Sequence, residues 1–170
     1  MSKRALKQYI GQLDKGSLQE QLLDLYDRFP AVKTYYDFVF NPKEDQMVQE
    51  AKAKISNEYF PVKRKRPKAR RSVAQKYIKH FRTLGMDAVL LADVMSYNLE
   101  VAQTFAMDRN VPDAFYKSML NSFKELLQHV SWHGLLPDFK DRILKIYGQV
   151  EKQQWPLEDE FQKALDILEQ

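Results

Sequence analysis

The chain reads as an all-α protein, and three observations carry that reading. Its seven prolines and five glycines cut 170 residues into segments, and almost every segment repeats apolar residues at helical spacing. No segment alternates apolar and polar residues with period two, so no significant sheet is expected. Helix start and stop signals stand at the segment ends. The expectation is a compact bundle or short stack of eight to nine antiparallel helices, since short connections favour antiparallel neighbours. At this length one domain is expected, with a helical layer over 1–61, a linker over 62–71 and a second helical layer over 72–170. No repeat is strict enough for a helical-repeat array.

The elements follow in order. Ser17-Leu18-Gln19-Glu20 has the form of a capping box, in which the serine oxygen and the glutamate satisfy each other's backbone donors. Leu18, Leu22, Leu25 and Phe29 then make one stripe, which Pro30 ends. Val32, Tyr35, Tyr36, Val39 and Phe40 repeat the spacing up to Asn41-Pro42. Met47, Ala51, Ile55 and Tyr59 follow, ending at Phe60-Pro61. Ser72-Val73-Ala74-Gln75 is a second predicted capping box, with Val73, Tyr77 and Phe81 on the inward face behind it and Gly85 closing the helix. Asp87 is the predicted N-cap of a long helix carrying Leu91, Val94, Met95, Val101, Ala102 and Phe105. After Pro112 come Phe115, Met119, Phe123, Leu126 and Val130, with Gly134 at the C-terminal end. Phe139, Ile143, Tyr147 and Val150 mark the next helix, and Leu157, Phe161, Leu165 and Leu168 the last.

Composition bounds the chemistry. A chain of this size buries roughly 70% of the surface its unfolded form exposes, so it needs no staple. It has no cysteine, which removes disulfide frameworks, thiolate zinc sites and cysteine nucleophiles together and fits a reducing compartment. No apolar run reaches the roughly 18 residues of a membrane span. The N-terminal Lys3 and Arg4 have no apolar stretch behind them, so the start does not read as a secretory signal. The cytoplasm is the expected compartment, with no membrane partner.

Charge is distributed unevenly. Between Val62 and Met86 stand ten bases, Lys63, Arg64, Lys65, Arg66, Lys68, Arg70, Arg71, Lys76, Lys79 and Arg82, and no acid. The other 17 bases face 23 acids, so the remainder carries −6 while the whole chain carries +4. A localised cationic field attracts phosphates or acidic surfaces. Basic residues immediately before a helix start oppose the macrodipole, so they are not there to begin a helix at Ser72. Pro67 keeps the run extended or turned. These ten residues are the candidate anion-binding set, with nucleic acid or an acidic protein as partner. Arg70 and Arg71 beside a helix N-terminus are the expected phosphate position. Nucleic acid would be held through its backbone, nearly blind to sequence, because no aromatic stacking platform interleaves the run. Two plainer readings compete. The run is a solvated loop, or it pairs internally with Glu158, Asp159, Glu160, Asp166 and Glu169 of the last helix.

Catalytic signals are sparse. Glu125, His129 and His133 lie at successive turns of one helix, but the His-Glu-x-x-His pattern is absent because Val130 follows His129. No second ligand cluster completes a metal site, so a capping or core role is expected and no metal or cofactor is implied. His80 sits among bases and reads as surface. There is no glycine-rich phosphate loop and no nucleophile elbow. Asp93 and Asn98 fall inside a strongly apolar helix; the plainer reading is a polar face toward solvent, and if they are instead buried they need a partner, so an enzymatic site, if present, is expected there. The aromatic group Phe29, Tyr35, Tyr36, Phe38 and Phe40 is mostly core by its spacing, with Phe38 off the main stripe and suited to a second layer or a partner surface.

Several stretches carry a family resemblance. They are Ser2-Lys3-Arg4-x-Leu6, Leu13 with Leu18, Leu22-Leu23-Asp24-Leu25-Tyr26, and Phe29-Pro30-x-Val32-Lys33-x-Tyr35-Tyr36-Asp37-Phe38. The Asn41-Pro42 turn, Tyr59-Phe60-Pro61 with its basic run, and His133-Gly134-Leu135-Leu136-x-x-Phe139 complete the set. Together they resemble an uncharacterised bacterial family of all-helical domains of unknown function, over most of the chain. The resemblance implies a helical protein of this size, implies no activity, and makes the basic linker a family feature. The functional expectation is a non-enzymatic binding protein using 63–82 on a polyanion such as nucleic acid. The alternatives are a protein-interaction or scaffold module with a helical groove, and an enzyme with an unrecognised site in the helical core.

Overall fold

The structure is a computed structural model that describes residues 2–63 and 66–166. Among these residues there are nine α-helices and no strand, as the periodicity predicts. The chain divides into two compact units, Met1–Lys43 and Glu44–Gln170. The basic linker lies inside the second.

The first unit holds α1 (Lys3–Ile10), α2 (Lys15–Arg28) and α3 (Pro30–Phe40). Ser2 caps α1 through its side chain, and Asp14 caps α2 by accepting from the Ser17 amide at 2.8 Å. The helix start expected at Ser17 therefore lies three residues earlier. The Asp14 carboxylate takes the Ser17 amide and caps the helix from Lys15; that hydrogen bond keeps its pKa below the ordinary value. Pro30 ends α2 and opens α3 as its first residue, where its missing N–H costs nothing. Tyr26 donates to Asp37 at 3.0 Å and Gln21 donates to the Tyr9 hydroxyl at 2.7 Å, which link the three helices. The stripes expected to face inward are not buried: no residue of α1, α2 or α3 is. Three short helices of this total length have too little volume to enclose a core.

The second unit holds α4 (Glu44–Tyr59), α5 (Arg71–Leu84), α6 (Ala88–Met107), α7 (Asp113–Trp132), α8 (Leu136–Lys152) and α9 (Glu158–Asp166). Helix α6 is its axis, with α4 and α7 packed most extensively against it. Leu91, Val94, Met95, Val101, Ala102 and Phe105 of α6 are all buried, as are Phe115, Met119, Phe123, Leu126 and Val130 of α7. Each fully buried side chain of this size contributes roughly 1.5–3 kcal/mol. Successive helices run antiparallel: α6 and α7 meet at Phe105–Phe115 at one end and at Ala88–His129 at the other. It follows that α4 runs parallel to α6, as Lys52–Asp93 and Tyr59–Phe105 record. Helix α9 closes the far side of α7, with the Phe161 ring 5.3 Å from Phe123.

Local signals explain the ends. Asp87 caps α6 by accepting from the Val89 and Leu90 amides. Gly85 takes φ +75 after α5, and the Met86 amide reaches back to the Phe81 carbonyl at 3.1 Å. Only glycine holds that left-handed turn without strain. Helix α5 differs from expectation in two respects. It begins at Arg71 rather than behind Ser72, and no side chain caps it. Its buried face is Ala74, Ile78, Phe81 and Leu84, with Val73 and Tyr77 only half-buried.

Candidate anion-binding surface

The linker does not run free between α4 and α5. Glu58, buried in the last turn of α4, anchors it twice. Its backbone carbonyl accepts from the Lys68 and Ala69 amides, both at 3.0 Å. Its carboxylate accepts from Arg70 Nε at 2.9 Å and Nη2 at 3.0 Å. Such a two-pronged guanidinium–carboxylate pair fixes direction as well as distance. Ala69 adopts φ +47 to make the turn, a conformation that costs a non-glycine residue about 1 kcal/mol or more. At the near end, Asn57 Oδ1 accepts from the Val62 amide at 3.2 Å.

Arg71 is also committed. Its Nε donates to Ser122 Oγ at 3.1 Å and its Nη2 to Glu125 Oε1 at 3.1 Å, while Gln75 donates to the other Glu125 oxygen at 3.2 Å. These contacts tie α5 to α7. They also supply the negative charge that a helix N-terminus prefers, which is why α5 can begin on an arginine.

The ten predicted cations thus separate. Arg70 and Arg71 serve as internal cross-links. Lys63, Arg66, Lys68, Lys76, Lys79 and Arg82 are exposed, and among the described residues none of them forms an ion pair. Arg64 and Lys65 lie outside the described residues. On α5, Lys76, Lys79 and Arg82 step along the outer face at about 4.5 Å of axial rise per interval. Among the described residues the acids of α9 form no ion pair with the linker. Glu160 pairs with Lys163 at 3.0 Å and reaches Lys124 at 4.0 Å; Glu169 lies outside the described residues. Among the described residues the counter-ions for the linker are Glu58 and Glu125. The sequence marks neither as a partner: Glu58 belongs to no motif, and Glu125 stands out only beside His129 and His133.

The polar positions singled out in α6 have separate fates. Asp93 accepts from Lys52 of α4 and from Arg142 of α8, the latter at 2.7 Å. Arg142 also grips Glu100 with Nε at 2.6 Å and Nη2 at 2.8 Å. Burial opposes ionisation of Asp93, but the hydrogen bonds from Lys52 and Arg142 outweigh it and hold the carboxyl below its ordinary value of 3.8. The Arg142 guanidinium is correspondingly stabilised in its charged form, chiefly by Glu100. Asn98 is fully buried, and its Oδ1 and Nδ2 have no partner among the described residues. The Tyr59 hydroxyl is likewise buried and unpartnered there, and burial pushes its pKa up to about 12 against the pull of Arg71.

The histidine pair does not assemble with Glu125. His129 is buried, with Nε2 2.9 Å from the Ala88 carbonyl, so that nitrogen carries the proton and donates. His133 is the exposed C-cap of α7, its ring centre 4.5 Å from that of His129. Glu125 faces Arg71 and Gln75 instead. No helix among the described residues is long and apolar enough to cross a membrane.

Fold and surface together define a class: an all-helical protein whose linker is pinned by two internal ion pairs and leaves a set of lysines and arginines facing outward. The chain belongs to the DUF6155 family, a family of unknown function, whose model matches residues 1–169. No curated protein and no solved structure matches it.

Proposed function

We propose that this protein is a non-enzymatic binding protein that engages a polyanion, nucleic acid foremost, through the cations of 63–82. The supporting observation is that Lys63, Arg66, Lys68, Lys76, Lys79 and Arg82 are exposed without carboxylate partners among the described residues, while Arg70 and Arg71 hold the segment in place. Contacts of this type go to phosphates and carry no base information. The lack of cysteine fits a reducing compartment, and this reading places the chain in the cytoplasm.

The test is fluorescence anisotropy with a labelled duplex and a labelled single strand of arbitrary sequence. Six phosphate contacts predict an affinity that falls about a thousandfold between about 50 and 200 mM salt. The triple variant Lys76→Ala, Lys79→Ala and Arg82→Ala should flatten that dependence. Absence of binding to either strand at the lower salt ends the proposal.

A protein-interaction role is supported by a different observation. Leu22, Leu25, Phe29, Tyr35 and Phe40 of the first unit are all more than 40% exposed, although their spacing is that of a buried stripe. Large apolar side chains left exposed in such number suit an interaction surface. Replacing Leu25 and Phe40 by lysine would abolish partner capture and leave duplex binding intact under this second reading.

A further inference from the structure

We infer a second, smaller ligand site that shares only Lys68 with the outward cationic face: a cleft between the end of the linker and the turn joining α6 to α7 takes a small organic anion, a carboxylate or phosphate ester bearing one aromatic or short apolar group. The cleft has a volume of ≈ 370 Å³. That is enough for one compact ligand and falls at the lower end of the range for small-molecule sites between helices.

Its lining divides by chemistry. Phe105 of α6 and Phe115 and Met119 of α7 form an apolar wall, each less than 10% exposed. Their positions are set by the core, since Phe105 packs on Tyr59 at 5.4 Å and Phe115 on Trp155 at 6.0 Å. The lining also includes Lys68 and Arg71. Lys68 has no ion-pair partner among the described residues, and its backbone is held by the Glu58 carbonyl. Arg71 spends Nε and Nη2 on Ser122 and Glu125, which leaves Nη1 without a partner among the described residues. Outside the lining, Arg109 lies 4.7 Å over the Phe105 ring. No aspartate or glutamate lines the cleft.

A lining that joins an apolar wall to Lys68, which has no ion-pair partner among the described residues, and to the free Nη1 of Arg71, whose charge Glu125 answers only from outside the cleft, selects a ligand with an apolar body and a negative head. A neutral apolar ligand would leave the positive charge unanswered, and an inorganic anion would leave the wall unused. A polyanion would ride the outer face instead, so this site shares Lys68 with the function proposed above but does not depend on Lys76, Lys79 or Arg82. Because the Glu58 carbonyl fixes the Lys68 backbone beforehand, binding has to order only its side chain.

The experiment is a titration of the full chain with phenyl phosphate, followed by backbone and methyl NMR shifts. The expected result is saturable shifts confined to the neighbourhood of Phe105, Ala114, Phe115 and Met119. Benzyl alcohol and inorganic phosphate should each bind about tenfold or more weakly, a difference of about 1.4 kcal/mol. Lys68→Ala should weaken phenyl phosphate several-fold. Ala114→Trp, on an exposed position of the first turn of α7, should block it while the far-ultraviolet dichroism stays that of the parent. The Lys76, Lys79 and Arg82 triple variant should bind as the parent does. Scattered or absent shifts, equal binding of benzyl alcohol or inorganic phosphate, indifference to Lys68→Ala or to Ala114→Trp, or loss in the triple variant would each overturn the assignment.

Discussion

Arg70 and Glu58 form a two-pronged ion pair at 2.9 and 3.0 Å, in which the carboxylate is buried and the guanidinium half-exposed. The same glutamate holds Lys68 and Ala69 through its backbone carbonyl. One residue therefore sets both the path of the linker and which of its cations are left outward.

Glu58→Gln separates those two roles. It removes the charge that holds Arg70 and keeps the carbonyl that holds the linker. The Lys68 and Ala69 amides should stay protected from hydrogen exchange, while Arg70 becomes available to a polyanion. The slope of log affinity against log salt for duplex DNA should steepen by about 0.9, the increment for one added phosphate contact.

Arg142 joins α8 to two carboxylates of α6. Replacing it by methionine leaves Asp93 and Glu100 close together without that cation, and should cost about 2 kcal/mol, less than a fully buried pair because all three groups are partly exposed. Urea unfolding would show this as a lower midpoint at unchanged slope. The pH dependence has a definite sign. Asp93 is held below its ordinary value of 3.8, so its contribution is complete above that pH and is lost as pH falls below it toward the folded value. The gap between parent and variant should be constant near neutrality and close only in acid below about pH 4.

His129 offers a second pH window. Burial, with His133 and Arg82 adding repulsion, lowers its pKa below 6.5 despite the hydrogen bond to Ala88. The unfolded chain then takes up a proton that the folded chain refuses, so stability falls as pH drops below about 6.5. His129→Gln, which retains a donor for the Ala88 carbonyl, should flatten this part of the profile while the acid limb below pH 4 persists. Thermal melts at stepped pH would separate the two.

Asn98 should be replaceable at a gain. Both its polar atoms are buried without a partner among the described residues. Leucine has the same branched shape and no desolvation cost, while its larger bulk offsets part of the gain, so Asn98→Leu should raise stability by about 1 kcal/mol or less, measured as a higher urea midpoint. A loss of more than that amount would mean the amide is satisfied in solution.

Much of this molecule is written in local pattern. The stripes of α6, α7 and α8, the Asp87 cap and the Gly85 and Gly134 turns depend on residues within a few positions of one another, and the helical period and backbone preferences alone predict them. The first capping box shows the limit of local pattern: Ser17 and Glu20 have the right spacing, but Asp14 accepts from the Ser17 amide and starts the helix three residues earlier.

The ten bases of 62–86, their crowding and the all-helical frame are settled by the chain itself, because composition and period are properties of residues near in sequence. Which of those bases face outward is decided only by folding, since Glu58 meets Arg70 and Glu125 meets Arg71 across 12 and 54 positions. So is the cleft, whose apolar wall comes from α6 and α7 and whose cations come from the linker. So too is the exposure of the stripes in α1, α2 and α3, because burial depends on the volume available to pack against and a stripe records only the tendency.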